Sequence, residues 1–177
     1  MMIRKGDNTY ADTAHRVPGT VIDAPLLHQA VEVQARYRPD SIAIDEEECQ
    51  LTYTQLHDAM ERLALALCRE DICRHDRVVV LADNGIEAYA ALLGIMRADA
   101  CFVPINSANP PARVAEIINE AEAAAVICTA QLLPLLAEAA PLITVATAYR
   151  LFVPNADATA LKLHKNLAAS FSVQISQ

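Results

Sequence analysis

Two hydrophobic rhythms alternate along residues 23–146, a three-to-four spacing and short near-continuous runs, and together they predict the order of elements. Asp23 offers an N-cap and Pro25 a first-turn residue to a helix with Leu26, Leu27, Ala30, Val31 and Ala35 on one face, which Pro39-Asp40 ends. Ser41-Ile42-Ala43-Ile44-Asp45 and Gln50-Leu51-Thr52-Tyr53 are β-type runs flanking the acidic turn Glu46-Glu47-Glu48, a pattern that predicts a hairpin with a solvated tip and Tyr53 as a strand anchor. Thr54 is expected to cap a second helix. Its Leu56, Ala59, Met60, Leu63, Ala64 and Leu67 form one stripe, and Glu61, Arg62, Arg69 and Glu70 lie opposite.

Arg77-Val78-Val79-Val80-Leu81-Ala82 is nearly all apolar and β-branched, as a strand covered on both faces must be. Asp83-Asn84-Gly85 reads as a plain turn into a helix carrying Ile86, Tyr89, Ala90, Leu93 and Met96. A strand is predicted at Cys101–Ile105. Pro110-Pro111 then opens a helix with Val114, Ile117, Ile118 and Ala121 inside. Ala125–Cys128 is predicted as strand, Gln131–Ala140 as helix and Leu142–Ala146 as strand. Such alternation argues for an α/β fold: a parallel, flavodoxin-like layered sheet with flanking helices and right-handed crossovers, plus a small N-terminal hairpin. Residues 1–22, polar and containing Pro18-Gly19, read as a loose leader, 23–148 as the α/β unit, and 149–177 as an undecided tail in which Phe171–Ser176 alternates like an edge strand.

Composition narrows the function. Hydrophobic residues make up 54% of the 177 and charged ones 20%, enough to bury a core; with 5% aromatic residues and no Trp, that core rests on Ala, Leu, Val and Ile. The net charge of −8, with no local basic cluster, argues against a nucleic-acid partner. Five cysteines at irregular spacing read as buried thiols of a reducing cytoplasm, and Cys68, Cys73 and His75 match no metal-site spacing. No apolar run approaches the roughly 20 residues of a membrane span, and no signal-peptide core follows Arg4-Lys5. His28 and His57 fall on predicted helices as surface residues. Nucleophile-elbow, zinc-protease, Walker and dinucleotide motifs are all absent from the sequence.

Five ordered stretches between about Leu26 and Thr129 resemble the opening of the adenylate-forming enzymes: acyl-CoA synthetases, peptide-synthetase adenylation domains and luciferases. Gln34-Ala35-Arg36-Tyr37-Arg38-Pro39-Asp40-Ser41-Ile42-Ala43 looks like the family's helix, Pro-Asp turn and first strand. Leu51-Thr52-Tyr53-Thr54-Gln55-Leu56 is similar to its Leu-Thr-Tyr-x-Glu-Leu element, with Gln55 for Glu. Asp76-Arg77-Val78 matches the start of its first parallel strand. Met96-Arg97-Ala98-Asp99-Ala100-Cys101-Phe102-Val103-Pro104-Ile105-Asn106 resembles Leu-Lys-Ala-Gly-Ala-x-Tyr-Val-Pro-Leu-Asp, and Asn109-Pro110 to Arg113 the helix opening after it.

The resemblance implies ATP and Mg²⁺ for the intact family, which joins a carboxylic acid to ATP as an acyl-adenylate and passes the acyl group to a thiol. It also implies that the fold here is incomplete. The family's phosphate loop is rich in Ser, Thr and Gly and ends in Lys, whereas Gly94 is the last glycine of this sequence. No catalytic, cofactor-binding or metal-binding residue carries over, so no cofactor is expected for this chain alone. Asp99 and His75 stand where the family has glycine, and Asn106 where it has Asp; if the glycine positions need a positive φ, the residues here are strained. The expected identity is thus a truncated, non-catalytic N-terminal subdomain. Its expected partner is the missing part of the enzyme or a second copy; the alternative is an interaction module of another class. An unrelated flavodoxin-like binder would need an anion loop at Ala82-Asp83-Asn84-Gly85, which holds an acid and a single glycine.

Overall fold

Three consecutive valines, Val78 to Val80, are buried on both sides, and the layers are arranged around them. The computed structural model describes residues 26–46, 49–145, 150–154 and 161–164. In chain order these form α1 (Leu27–Tyr37), the hairpin of β1 (Ile42–Glu46) and β2 (Cys49–Thr52), α2 (Tyr53–Arg69), β3 (Arg77–Leu81), α3 (Ile86–Arg97), β4 (Cys101–Ile105), α4 (Pro111–Glu120), β5 (Ala125–Cys128), α5 (Leu133–Ala139), β6 (Arg150–Pro154) and β7 (Leu161–His164). Short 3-10 turns at Ala130–Leu132 and Ala140–Leu142 flank α5.

The main sheet runs β4-β3-β5-β6-β7. Its first four strands are parallel, with Val79 opposite both Val103 and Val126, and β7 closes it antiparallel to β6. Alternation along β3 sends Val79 and Leu81 into a core with α4 and α5, and Val78 and Val80 into a second core with α2 and α3. Both faces of β3 and β5 are therefore dry. The chain leaves β3 to one side through α3 to reach β4, then crosses to β5 on the other side through α4. This is the doubly wound order expected of a flavodoxin-like layer, with its reversal between β3 and β5.

β4 ends the sheet among the described residues. The Cys101 amide donates inward to the Asp76 carbonyl (2.7 Å), so alternation turns the amide positions of Phe102 and Pro104 to the open side. Pro104 costs no ladder bond there and removes a donor from the exposed edge.

Several expectations are corrected. Thr52, not Thr54, caps α2: its Oγ1 accepts from the Gln55 amide (3.2 Å), and Gln55 Oε1 accepts from the Thr52 amide (2.9 Å). This reciprocal capping box starts the helix two residues early, so Tyr53 is its first residue and no strand anchor. Thr54 Oγ1 instead donates to the Pro39 carbonyl at 3.0 Å. Residues 142–145 form no strand. Asn119 on α4 captures that backbone, donating to the Leu142 carbonyl (3.0 Å) and accepting from the Thr144 amide (2.7 Å), and the fourth parallel strand is β6.

Four of the five thiols, Cys49, Cys68, Cys73 and Cys101, are exposed, because they lie on strand rims, the outer side of α2 and a turn. Only Cys128 is buried, and burial pushes its thiol up to about 12. Leu26 and Leu27 are exposed as well. Asp23, Pro25, the leader at 1–22 and the alternating Phe171–Ser176 lie outside the described residues.

Three helices end alike. Asp71 after α2, Asp99 after α3 and Glu122 after α4 have φ of 58°, 63° and 46°. The next amide in each case reaches back across the turn: Ile72 to Leu67, Ala100 to Ile95 and Ala123 to Ile118. These are Schellman ends with an acid where glycine is usual. His75 is the fourth left-handed residue (φ 71°), and its amide donates to the Asp99 carbonyl at 3.2 Å. Both positions singled out as replaced glycines, 75 and 99, thus require a positive φ.

Candidate functional site

Parallel strands of a doubly wound sheet present their carboxyl ends on one rim, where loops are free to carry ligand groups. On this rim the ends of β3 and β4 line a cavity of about 350 Å³. Its floor is apolar: Val80 from β3, Ala82 just beyond it, Phe102 and Pro104 from β4, and Ala88 from α3. Its mouth is polar, formed by Asp83, Asn84, Asn106 and Ser107.

Local chemistry fixes the mouth. Ser107 Oγ donates to the Asp83 carboxylate and ties the two loops together. Asn106 Oδ1 accepts from the Ala108 amide (2.8 Å), and its carbonyl accepts from the amide and the side chain of Asn109, both at 3.0 Å. This turn delivers the chain to Pro110 and Pro111, the N-cap and first residue of α4. The turn read at Asp83-Asn84-Gly85 therefore also lines the cavity, together with Asn106 and Ser107, which the spacing alone did not join to it.

The electrostatics do not suit a phosphate. Asp83 is the one charged residue lining the cavity among the described residues. The neighbouring N-terminus of α3 has Gly85 as N-cap with no side-chain cap, an end that favours an anion. Glu46 Oε1 at the end of β1 lies 2.9 Å from where a Cβ on Gly85 would stand, so a carboxylate already sits beside this terminus. Glu87 follows in the first turn, its carboxyl held above its usual range by burial and then by the Glu46 charge.

Thr129, one residue past β5, completes the rim. Its amide donates to the Leu81 carbonyl (3.2 Å), while its fully buried hydroxyl has no hydrogen-bond partner among the described residues. No group of three or more His, Cys, Asp or Glu among those residues is placed to hold a metal ion. His57 lies between Asp58 (3.8 Å) and Glu61 (4.0 Å) on the surface of α2, and His28 is half-buried on α1, both remote in sequence from the rim. No described helix is long and apolar enough to cross a membrane.

Comparison with known proteins agrees with this architecture. The family described as AMP-binding enzyme matches residues 31–170. Tyrocidine synthase 3 of Brevibacillus parabrevis is 33% identical over 112 residues, which are 63% of this chain and 2% of that protein. The structure of the nonribosomal peptide synthetase FmoA3 bound to α-methyl-L-serine-AMP superposes with a TM-score of 0.66 at 26% identity, over 81% of this chain and 15% of that one. A benzoate CoA ligase from Burkholderia xenovorans LB400 shares the fold, with a TM-score of 0.65 at 20% identity, over 72% of this chain and 25% of that one. The chain therefore spans a small part of the length of the relatives it matches.

Proposed function

The chain belongs to the AMP-binding enzyme family, and from that premise we propose that it is the N-terminal subdomain of a carboxylate-activating adenylation domain, inactive in ATP chemistry on its own. Its likeness to part of an adenylate-forming ligase domain supports the first half of this reading. The second half rests on one observation: Gly94 is the last glycine, so the stretch after β5 has nothing from which to build a glycine-rich phosphate cradle. Such a cradle needs backbone amides free of Cβ atoms at close approach to the anion. The family's ATP-dependent step, acid plus ATP giving acyl-adenylate and pyrophosphate with Mg²⁺, then depends on residues outside this sequence, in the remainder of such a domain. The exposed thiols suit a reducing cytoplasm.

The test is ATP–pyrophosphate exchange by the purified 177-residue chain against a panel of amino and aryl acids. No exchange above buffer is expected, and no rise of Tm with MgATP. Exchange with any acid would overturn the reading, as would stabilisation by nucleotide, since a ligand bound only by the native state must raise its stability. A second reading, an interaction module, is favoured by the exposure of Leu26, Leu27 and Tyr37 on or beside α1 and Ile42 in β1. Light scattering separates the two: a defined dimer supports the module, and a monomer supports the unpaired subdomain.

A further inference from the structure

α1 is attached to the molecule differently from the other helices. None of its 11 residues is buried, whereas α2 buries Leu56, Ala59, Met60, Leu63, Ala64 and Leu67. Its N-terminal end, at Leu26, has no side-chain cap. A helix shorter than roughly 12–15 residues is marginal in isolation, so α1 is helical because it is docked.

Its packing on α2 and α3 includes one apolar and one charged contact. Half-buried Val31 rests on an apolar platform that includes Leu56, Met60, Ala90 and Leu93 of α2 and α3. Glu32 lies 3.5 Å from Arg97 Nε, which also donates to Glu61 at 2.7 Å, so one guanidinium joins α1, α2 and α3.

The C-terminal end is pinned far more firmly. The Thr54 amide and hydroxyl both donate to the Pro39 carbonyl, the Tyr53 amide to Ser41, and the Ser41 amide to Arg38. One end of α1 is thus tied to the start of α2, and among the described residues the other carries no such anchor.

We propose that α1 is a strap that opens as a unit about the Pro39–Ser41 turn while the sheet stays folded, releasing Glu32 from Arg97 and uncovering the apolar platform of α2 and α3. Local opening is easiest where the least apolar surface is buried. The Glu32–Arg97 pair is partly solvated, so salt weakens it and favours the open form.

Hydrogen exchange of the whole 177-residue chain tests this, at about 0.02 M and about 0.5 M salt, for the native protein and for Glu32→Gln, which leaves the Arg97–Glu61 bond in place. Amides of α1 are expected to exchange at least about tenfold faster than those of α2 and α3. High salt or Glu32→Gln should speed α1 a further roughly two- to fivefold, with β3 and α3 unchanged. The proposal is overturned by α1 amides as protected as those of α2, by α1 exchange indifferent to both salt and Glu32→Gln, or by equal acceleration of α1, α3 and β3, which would mean that α1 opens only with the whole molecule.

Discussion

Asp99 sits at φ 63°, a conformation that Asp tolerates better than most side chains and less well than glycine. Relieving a left-handed residue is worth about 1–2 kcal/mol, and the greater freedom of an unfolded glycine takes back about 0.4–1 kcal/mol. Its ion pair with Arg74 (3.4 Å) is largely exposed on both sides and subtracts little. Asp99→Gly is therefore expected to stabilise the protein by about 0.5–1 kcal/mol, raising Tm by about 1–4 °C in thermal unfolding. Asp99→Val, β-branched at a positive φ, should lower it. The strain at 75 and 99 was legible in the sequence through the glycines that the related motif carries there. The same strain at Asp71 and Glu122 was not, because an acid between helix and strand reads as ordinary solvated surface. Nor did the sequence reveal that Arg77 would answer one of them: it pairs with Glu122 at 2.9 Å and donates to the Ala121 carbonyl, steadying the end of α4.

At the scale of elements, α3 meets α2 through a glycine. Gly94 lies mid-helix, where glycine ordinarily costs about 0.5–1 kcal/mol, yet a Cβ there would stand 2.7–2.8 Å from Cδ2, Cβ and Cγ of Leu63. The missing side chain lets the two helices meet. Gly94→Ala gains about 1 kcal/mol of helix propensity and meets an overpacking cost of about 1–3 kcal/mol, the larger of the two because Leu63 is itself buried against the sheet. A net loss of up to about 2 kcal/mol is expected in denaturant unfolding. Leu63→Ala should cost less in the Gly94→Ala background than in the native one, with a coupling of at least about 0.5 kcal/mol, since the clash disappears with the leucine. Helices α2 to α4 and strands β3 to β5 followed from periodicity, which reports burial directly. The strand expected at Leu142–Ala146 did not form, because an apolar β-branched run carries no mark of the side chain, Asn119, that will claim its backbone.

At the scale of the whole molecule, the hairpin and the layered sheet meet where Glu46 covers the start of α3 and crowds Glu87. Burial and the Glu46 charge raise the Glu87 carboxyl above its usual range, so between its ordinary pKa and that raised value the folded state binds more proton than the unfolded one. Stability from this group is present at low pH and falls as pH rises through the window, the reverse of a salt-bridged acid. Glu87→Gln, which cannot ionise, should therefore gain stability relative to the native protein as pH increases from about 4.5 to 7. Thermal unfolding of both across that range checks it; a difference that shrinks with pH sinks the account. Local periodicity and motifs of a few residues are enough to give the alternating α/β layers, the dry faces of the central strands and the family. Only the folded arrangement reveals that Asp83 and Ser107 share one mouth, that the Glu46 carboxylate sits beside Gly85 at the start of α3, and that Glu32 of α1 reaches Arg97. Those facts join residues far apart along the chain, and no local pattern encodes the distance across which they meet.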